Sequence, residues 1–421
     1  MTTLGKIVSL DARSLEWARG LFARYYAETP VPPPSRFARR EFAAFPFRET
    51  TMMRRHASLS TEEGFHEFLV REVPRHVYYS SAYYRYPDHP TMAQKEWLGA
   101  DLIFDLDADH LRGAGSLDLA GQLELVKSRL IDLVDDFLTG DFGIPASSLR
   151  LVFSGGRGYH VHVLDPAFWP LNSPERRELV EYIQGSGFDP SDAVVEEKAG
   201  RGPVGEGEGE GGAPRRGGSR PTFRRLYPPD APGWHGRTTR ALLRLLDRWE
   251  SVGWEKAATE LEGFGLPRAD ARRLARQLVE EGRGRRIREG LSLDVFPKGI
   301  PKGFLETVLR QAAVEVQGET DAPVTTDIHR LIRLPGSLHG GSGFRVRPLE
   351  RDALDGFNPW RDAQIPVPSG EARTVELVDT VRYPFEPAPV EGSAGDRATV
   401  PTPVALFLVL RGEARIPAGP G

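Results

Sequence analysis

In Leu102-Ile103-Phe104-Asp105-Leu106-Asp107-Ala108-Asp109 apolar and acidic residues alternate strictly from Phe104 onward. Strand side chains point to opposite faces in turn, so the alternation predicts a β-strand with Asp105, Asp107 and Asp109 on one face and Leu102, Phe104 and Leu106 on the other. Carboxylates stacked at this spacing on a half-buried strand repel one another unless a cation lies between them. A divalent metal resolves the conflict. Mg²⁺ is the natural candidate, because it takes hard oxygen ligands and commonly bridges one or two carboxylates to substrate phosphates. The competing reading is a solvent-facing edge strand whose acids discourage aggregation. The segment that follows weighs against it, since Leu119, Leu123, Val126, Leu130, Val134 and Phe137 recur at helical spacing and offer the strand a helix to pack on.

Two later segments carry polar groups of a complementary kind. Leu151-Val152-Phe153 reads as a strand, Ser154-Gly155-Gly156-Arg157-Gly158 as a tight loop and Tyr159-His160-Val161-His162-Val163 as a returning strand. The glycines let the backbone come close to a ligand, exposed amides bind anionic oxygens, and Arg157 brings a planar fork suited to phosphate. The loop is not a Walker loop, because the GK[ST] ending is missing. His160 and His162 share a strand face, but two histidines without a third ligand are a weak zinc signal, and a glycine hairpin with incidental histidines is the plain alternative. The second segment, Asp321 to Gly340, concentrates acids, bases and hydroxyls. Arg330, Arg333 and His339 can pair with a triphosphate and Asp321 can complete a metal site begun by the acidic strand, with an ion-paired surface loop as the alternative.

With 421 residues the chain has room for one large domain or two to three ordinary ones. Its 39% hydrophobic and 27% charged content is that of a soluble globular protein, and no apolar run comes near the roughly 20 residues that span a bilayer. The first residues lack the apolar core and cleavage site of a secretory signal, so no membrane association and a cytoplasmic location are expected. The absence of cysteine excludes disulfides, thiolate zinc sites and iron–sulfur ligation by this chain. A net charge of -4 does not forbid local basic grooves.

Helical and strand patterns alternate over residues 1–198 and return over 296–382, which together are expected to form one discontinuous catalytic domain. Residues 199–235 are so rich in Gly, Pro, Glu and Arg that a mobile linker is expected, with Arg215, Arg216, Arg220, Arg224 and Arg225 as possible helpers in binding nucleic acid. Residues 236–295 show apolar positions at three-to-four spacing between breakers and predict a helical insert. The tail, 383–421, is Pro/Gly-rich except for VALFLVLR, read as an edge strand or a partner contact.

Taken in order, FDLDADH, SGGRGYHVHV and TDAPVTTDIHRLIRLPGSLHG resemble the small catalytic subunit of archaeal and eukaryotic DNA primases, and YYAETPVPPPSRFARREFAAF and PRHVYYSSAYY look like the same family's N-terminal segments. The likeness covers roughly residues 20–165 and 320–350. It implies a mixed α/β (α+β) fold, with sheets flanked by helices and interrupted by a helical insert. It also implies synthesis of short RNA or mixed RNA/DNA primers on single-stranded DNA from nucleoside triphosphates, beside a large primase subunit. Asp105, Asp107 and Asp321 would bind two Mg²⁺ or Mn²⁺ ions, with Asp327 the competing third acid. Ser154, Arg157, His160, Arg333 and His339 would hold the incoming phosphates, with Arg40 nearby. The stretch after the acidic strand lacks the cysteines of the family's zinc knuckle, so no structural zinc is expected, and His110 is read as structural or as a support behind a ligand rather than a ligand itself. Gly341 stands where a Lys is common. A gap-filling polymerase of the same superfamily and a catalytically silent nucleic-acid-binding subunit are the competing functions.

Overall fold

The computed structural model describes residues 10–47, 52–198, 222–295, 302–315 and 317–418. The chain has a mixed α/β fold and divides into two units, residues 1–180 with 319–421, and residues 181–318. Residues 199–221 of the expected linker, with Arg215, Arg216 and Arg220, lie outside the described residues.

The first unit is organised around two antiparallel sheets of four strands among the described residues. One has the order Leu331–Arg333, His76–Ser80, Phe42–Phe45, Arg54–Ala57, and the other Arg347–Leu349, Leu149–Phe153, Gly158–Val163, Leu102–Asp107. In the second sheet Asp105 lies opposite His160, Asp107 opposite Gly158 and Leu106 opposite Tyr159. Asp105, Asp107, His160 and His162 therefore share one face, while Phe104, Leu106, Tyr159, Val161, Leu151 and Phe153 share the other. Helix Leu119–Asp132, continued in wider-wound turns over Leu133–Asp141, packs on these strands. Its buried Leu123, Val126, Leu130, Val134 and Phe137 are the positions with helical spacing, and the Asp118 carboxylate caps it by accepting the Gly121 N–H at 2.8 Å. On the acid-bearing face Ile103 joins the core formed by Tyr79, Ile332 and Leu334 of the first sheet and its edge.

Two local readings change. The acidic strand ends at Asp107, whose carboxylate accepts the Asp109 N–H at 3.0 Å and turns the chain into a 3-10 helix over Ala108–His110. Asp109 consequently leaves the row it was expected to join, an Asx turn overriding the alternation. The apolar run of the tail forms a helix, Thr402–Leu410, with every residue buried, rather than an edge strand. A short run apolar on all sides has no period to reveal its type, and Pro403 in the first turn favours the helix. Phe407 anchors it, its ring 5.2 Å from Phe344 and 5.7 Å from Trp360.

The second unit is mainly helical. Gly233–Val252, Trp254–Gly263, Arg268–Val279, Arg283–Gly290 and Lys302–Glu315 surround Leu242, Leu245, Trp249, Leu261, Leu274 and Ile287. The strand Thr222–Leu226, carrying Arg224 and Arg225, pairs antiparallel with Val194–Lys198, so residues 222–226 of the stretch read as linker form a strand; Arg224 lies opposite Glu196, an opposite-charge pair of the kind that favours strand pairing. Among the described residues no helix is long and apolar enough to cross a membrane.

Candidate active site

Asp105 and Asp107 stand two residues apart on one strand face, with side chains 17% and 35% exposed. A third acid reaches them from far along the chain: the Asp321 N–H donates to the Asp105 carbonyl oxygen at 2.9 Å, and the Thr320 hydroxyl lies 3.3 Å from the same oxygen. This backbone link places Asp321 beside the strand. Burial, then the neighbouring Asp107 and Asp321 charges, push the Asp105 carboxyl up to about 7, against the opposing pull of Arg330 and Arg333. Asp327 is differently employed, its carboxylate accepting the His329 N–H at 2.9 Å. His110 Nε2 lies 3.9 Å from Asp321 Oδ2 at the rim.

The glycine loop turns tightly between its strands, the Ser154 N–H donating to the Gly158 carbonyl at 3.0 Å and the Gly156 N–H to Ser154 Oγ at 3.2 Å. Gly155 has φ of 76°, open to glycine at little cost, and a Cβ there would stand 2.7 Å from the His339 Cβ. At Gly158 the strand passes so near the acids that a Cβ would run into the Leu106 carbonyl oxygen and lie 3.2 Å from the Asp107 Cα. Gly158→Ala is therefore expected to destabilise the chain by roughly 1–3 kcal/mol, the usual cost of overpacking. Thermal unfolding checks this, and an unchanged midpoint would show that the strands have room to spare. Arg157 reaches over the acids, ion-paired with Asp109 and 3.9 Å from Asp107 Oδ1.

His160 Nε2 lies 3.5 Å from Asp105 Oδ1, and burial followed by the Arg333 and Arg330 charges pushes the imidazole down to about 3, so it is neutral at physiological pH. His162 points instead to Tyr79, its Nδ1 3.3 Å from the phenol oxygen. His339 lies along the loop: Nδ1 is 3.1 Å from Ser342 Oγ, whose hydroxyl donates to the Gly155 carbonyl at 2.5 Å. That bond ties the third segment to the glycine loop. Arg333 donates to His76 Nδ1 at 2.6 Å and to the Tyr78 hydroxyl at 3.1 Å. His76 also accepts the Gly340 N–H at 3.3 Å and packs edge-on against His339 at 5.2 Å. Since an arginine and a backbone amide only donate, His76 Nδ1 is the acceptor and its proton sits on Nε2.

His76 and Tyr78 thus support Arg333, a role not assigned to them from the sequence; their signal was the i, i+2 spacing in PRHVYYSSAYY, which puts both on one strand face. Arg40 requires a correction. It is 1% exposed and all five of its N–H donors are engaged, by Ser35 O, Ser80 O, Ser81 O, the Tyr83 hydroxyl and Asp101, the last at 2.6 Å. No donor remains for a phosphate. Burial with Asp101 as counter-charge makes Arg40 a brace for the strands around it. Gly341 has its N–H 3.3 Å from His339 Nδ1.

Among the described residues no three His, Asp or Glu side chains are already gathered into a metal cage. The acids supply hard oxygen donors beside a strand, which suits an ion that keeps several waters and shares substrate phosphates rather than one enclosed by protein.

Comparison with known proteins identifies the lineage. A family profile described as DNA primase small subunit matches residues 104–351, which take in the acidic strand, the glycine loop and the third segment. The DNA primase small subunit PriS of Methanocella arvoryzae is 38% identical over 412 residues, spanning 96% of this chain and 99% of that protein. The PriS proteins of Methanothrix thermoacetophila and Halobacterium salinarum are each 37% identical, over 97% and 96% of this chain and 100% and 99% of their own lengths. Likeness of this extent, end to end and through all three motifs, means that the chain belongs to the DNA primase small subunit family.

Proposed function

We propose that this primase subunit joins nucleotides on a single-stranded DNA template at a centre formed by Asp105, Asp107 and Asp321. Primases of this family are nucleotidyltransferases that make primers, and their catalysis depends on metal. The observation that carries the assignment is the bond from the Asp321 N–H to the Asp105 carbonyl, which brings together acids separated by more than half the chain. Two Mg²⁺ or Mn²⁺ ions on these carboxylates supply, when bound, charge stabilisation for the attacking and leaving oxygens. The chain's own contribution is orientation. Arg157 and Arg333 present guanidinium forks to the incoming phosphates, Ser154 and its loop amides bind their oxygens, and neutral His160 and His339 donate without adding charge. Arg40 is left out of this set. With no cysteine, the chain is assigned no structural zinc.

The name small subunit implies a larger partner, and we assign the chain to a heterodimer with a large primase subunit, acting in the cytoplasm. The test is synthesis on an unprimed single-stranded template by the full chain, alone and with a candidate large subunit, using ribonucleotides and deoxynucleotides in parallel. New chains starting on bare template are the expected result. Extension of a supplied primer with no initiation, even with the large subunit present, would replace this reading with gap-filling synthesis. No incorporation under any condition would leave a silent binding subunit.

A further inference from the structure

Arg347 sits on the edge strand Arg347–Leu349, opposite Phe153. It occupies the face shared by Phe153 and Tyr159, the side of the sheet turned away from Asp105 and Asp107. Arg345, two residues earlier, opens into the same cleft, which has a volume of about 400 Å³, Leu349 and Phe357 among its lining, and Arg361 and Asp362 at its edge. The Nε of Arg345 and that of Arg347 are both buried without a hydrogen-bond partner. Arg345 Nη2 donates to the Asp362 carbonyl at 3.0 Å, which fixes its orientation. The single acid of the cleft is already matched, since Arg361 binds the Asp362 carboxylate at 2.8 and 2.9 Å.

Two adjacent guanidinium groups consequently face one partly enclosed space whose single carboxylate, Asp362, is bonded to Arg361 and acts on them only through space. Burial and the Arg347 charge push the Arg345 guanidinium down, further than Tyr25 and the Asp362 charge offset. Burying charge in this way is unfavourable unless something pairs with it, and a planar fork with free N–H groups matches a phosphate oxyanion. We propose that this cleft is a second phosphate-binding site, separate from the catalytic acids, which takes a phosphate of a nucleic-acid strand or of a nucleotide through Arg345 and Arg347. Three strand steps separate the Arg347 strand from the Asp105 strand, roughly 14 Å at the usual spacing, so one phosphate does not serve both places.

The experiment uses the full chain in EDTA, which removes metal-assisted binding at the acids. Two probes are titrated: a fluorescein-labelled oligo-dT and ATP. Arg347→Gln removes a side chain with no hydrogen bond to lose and is expected to weaken one probe about tenfold, as loss of a charge-assisted hydrogen bond does. If the ligand is a strand, oligo-dT weakens, its salt slope falls by about one and ATP is unaffected. If it is a nucleotide, ATP stoichiometry drops by one and oligo-dT is unaffected. Asp362→Asn is expected to tighten the same probe, a gain that a misfolded variant does not produce. Unchanged binding of both probes in both variants overturns the proposal.

Discussion

Asp105→Asn is expected to lower primer synthesis by at least about a thousandfold while raising the stability of the metal-free protein at neutral pH. The loss follows from removing a hard, charged oxygen donor from a centre whose charge stabilisation is worth several kcal/mol, at about 1.4 kcal/mol per decade of rate. The gain follows from the same carboxyl. Its ordinary value of 3.8 is pushed up to about 7 in the folded chain by burial and by Asp107 and Asp321. Between those values the folded state holds a proton that the unfolded state has released, so this group's contribution to stability falls as pH rises from about 4 to about 7 and levels off above. The size is on the order of a few kcal/mol. His76, His160 and His339, held below their ordinary 6.5 by burial, act in the opposite sense and lose stability as pH falls through that value. The difference between the parent and Asp105→Asn, followed by thermal unfolding in EDTA from pH 4 to 8, isolates the aspartate. A difference that does not grow across pH 4–7 sinks the burial argument, and activity within about tenfold of the parent sinks the catalytic one.

How much of this was legible beforehand depends on whether a local rule governed each piece. Alternation over Leu102–Asp107 is sufficient to put Asp105 and Asp107 on one face, and the register to His160 and Gly158 shows why the glycine loop must lie at their end of the sheet. The side-chain hydrogen bond that turns Asp109 away is short-range, but it competes with alternation, and composition does not say which prevails. The tail helix is hidden because the seven-residue apolar run Val404–Leu410 fits strand and helix alike. Arg40 differs for another reason: its position in the REF segment says nothing of the Asp101 carboxylate 61 residues away that takes its charge. The sequence around His76 does not reveal its role, because its partners, Arg333 and Gly340, arrive from more than 250 positions downstream. For Arg40 and His76 the missing fact is a tertiary contact.

The choice between Asp321 and Asp327 has the same character, and it leads to a sharp expectation: Asp321→Asn falls with Asp105→Asn, about a thousandfold or more, whereas Asp327→Asn stays within roughly tenfold. Both acids lie in one short segment, at either end of helix Ala322–Thr326, so spacing alone barely separates them. What separates them is attachment. The Asp321 amide is bonded to the acidic strand and its charge helps hold the Asp105 proton, while Asp327 is not among the leading charges on Asp105 and caps the His329 amide. Asn at 321 keeps the backbone bond and the side-chain volume, removing only the charge, so a loss of synthesis with an unchanged melting profile identifies a chemical role rather than a structural one. Asn at 327 retains an oxygen that can accept the His329 N–H, so its fold should survive as well. Steady-state incorporation on a primed template compares the two, with Mn²⁺ titrated in each variant. A weakened metal response in Asp321→Asn alone is the expected pattern; the reverse pattern would move the third acid to Asp327 and leave the Asp321 bond a purely structural tie.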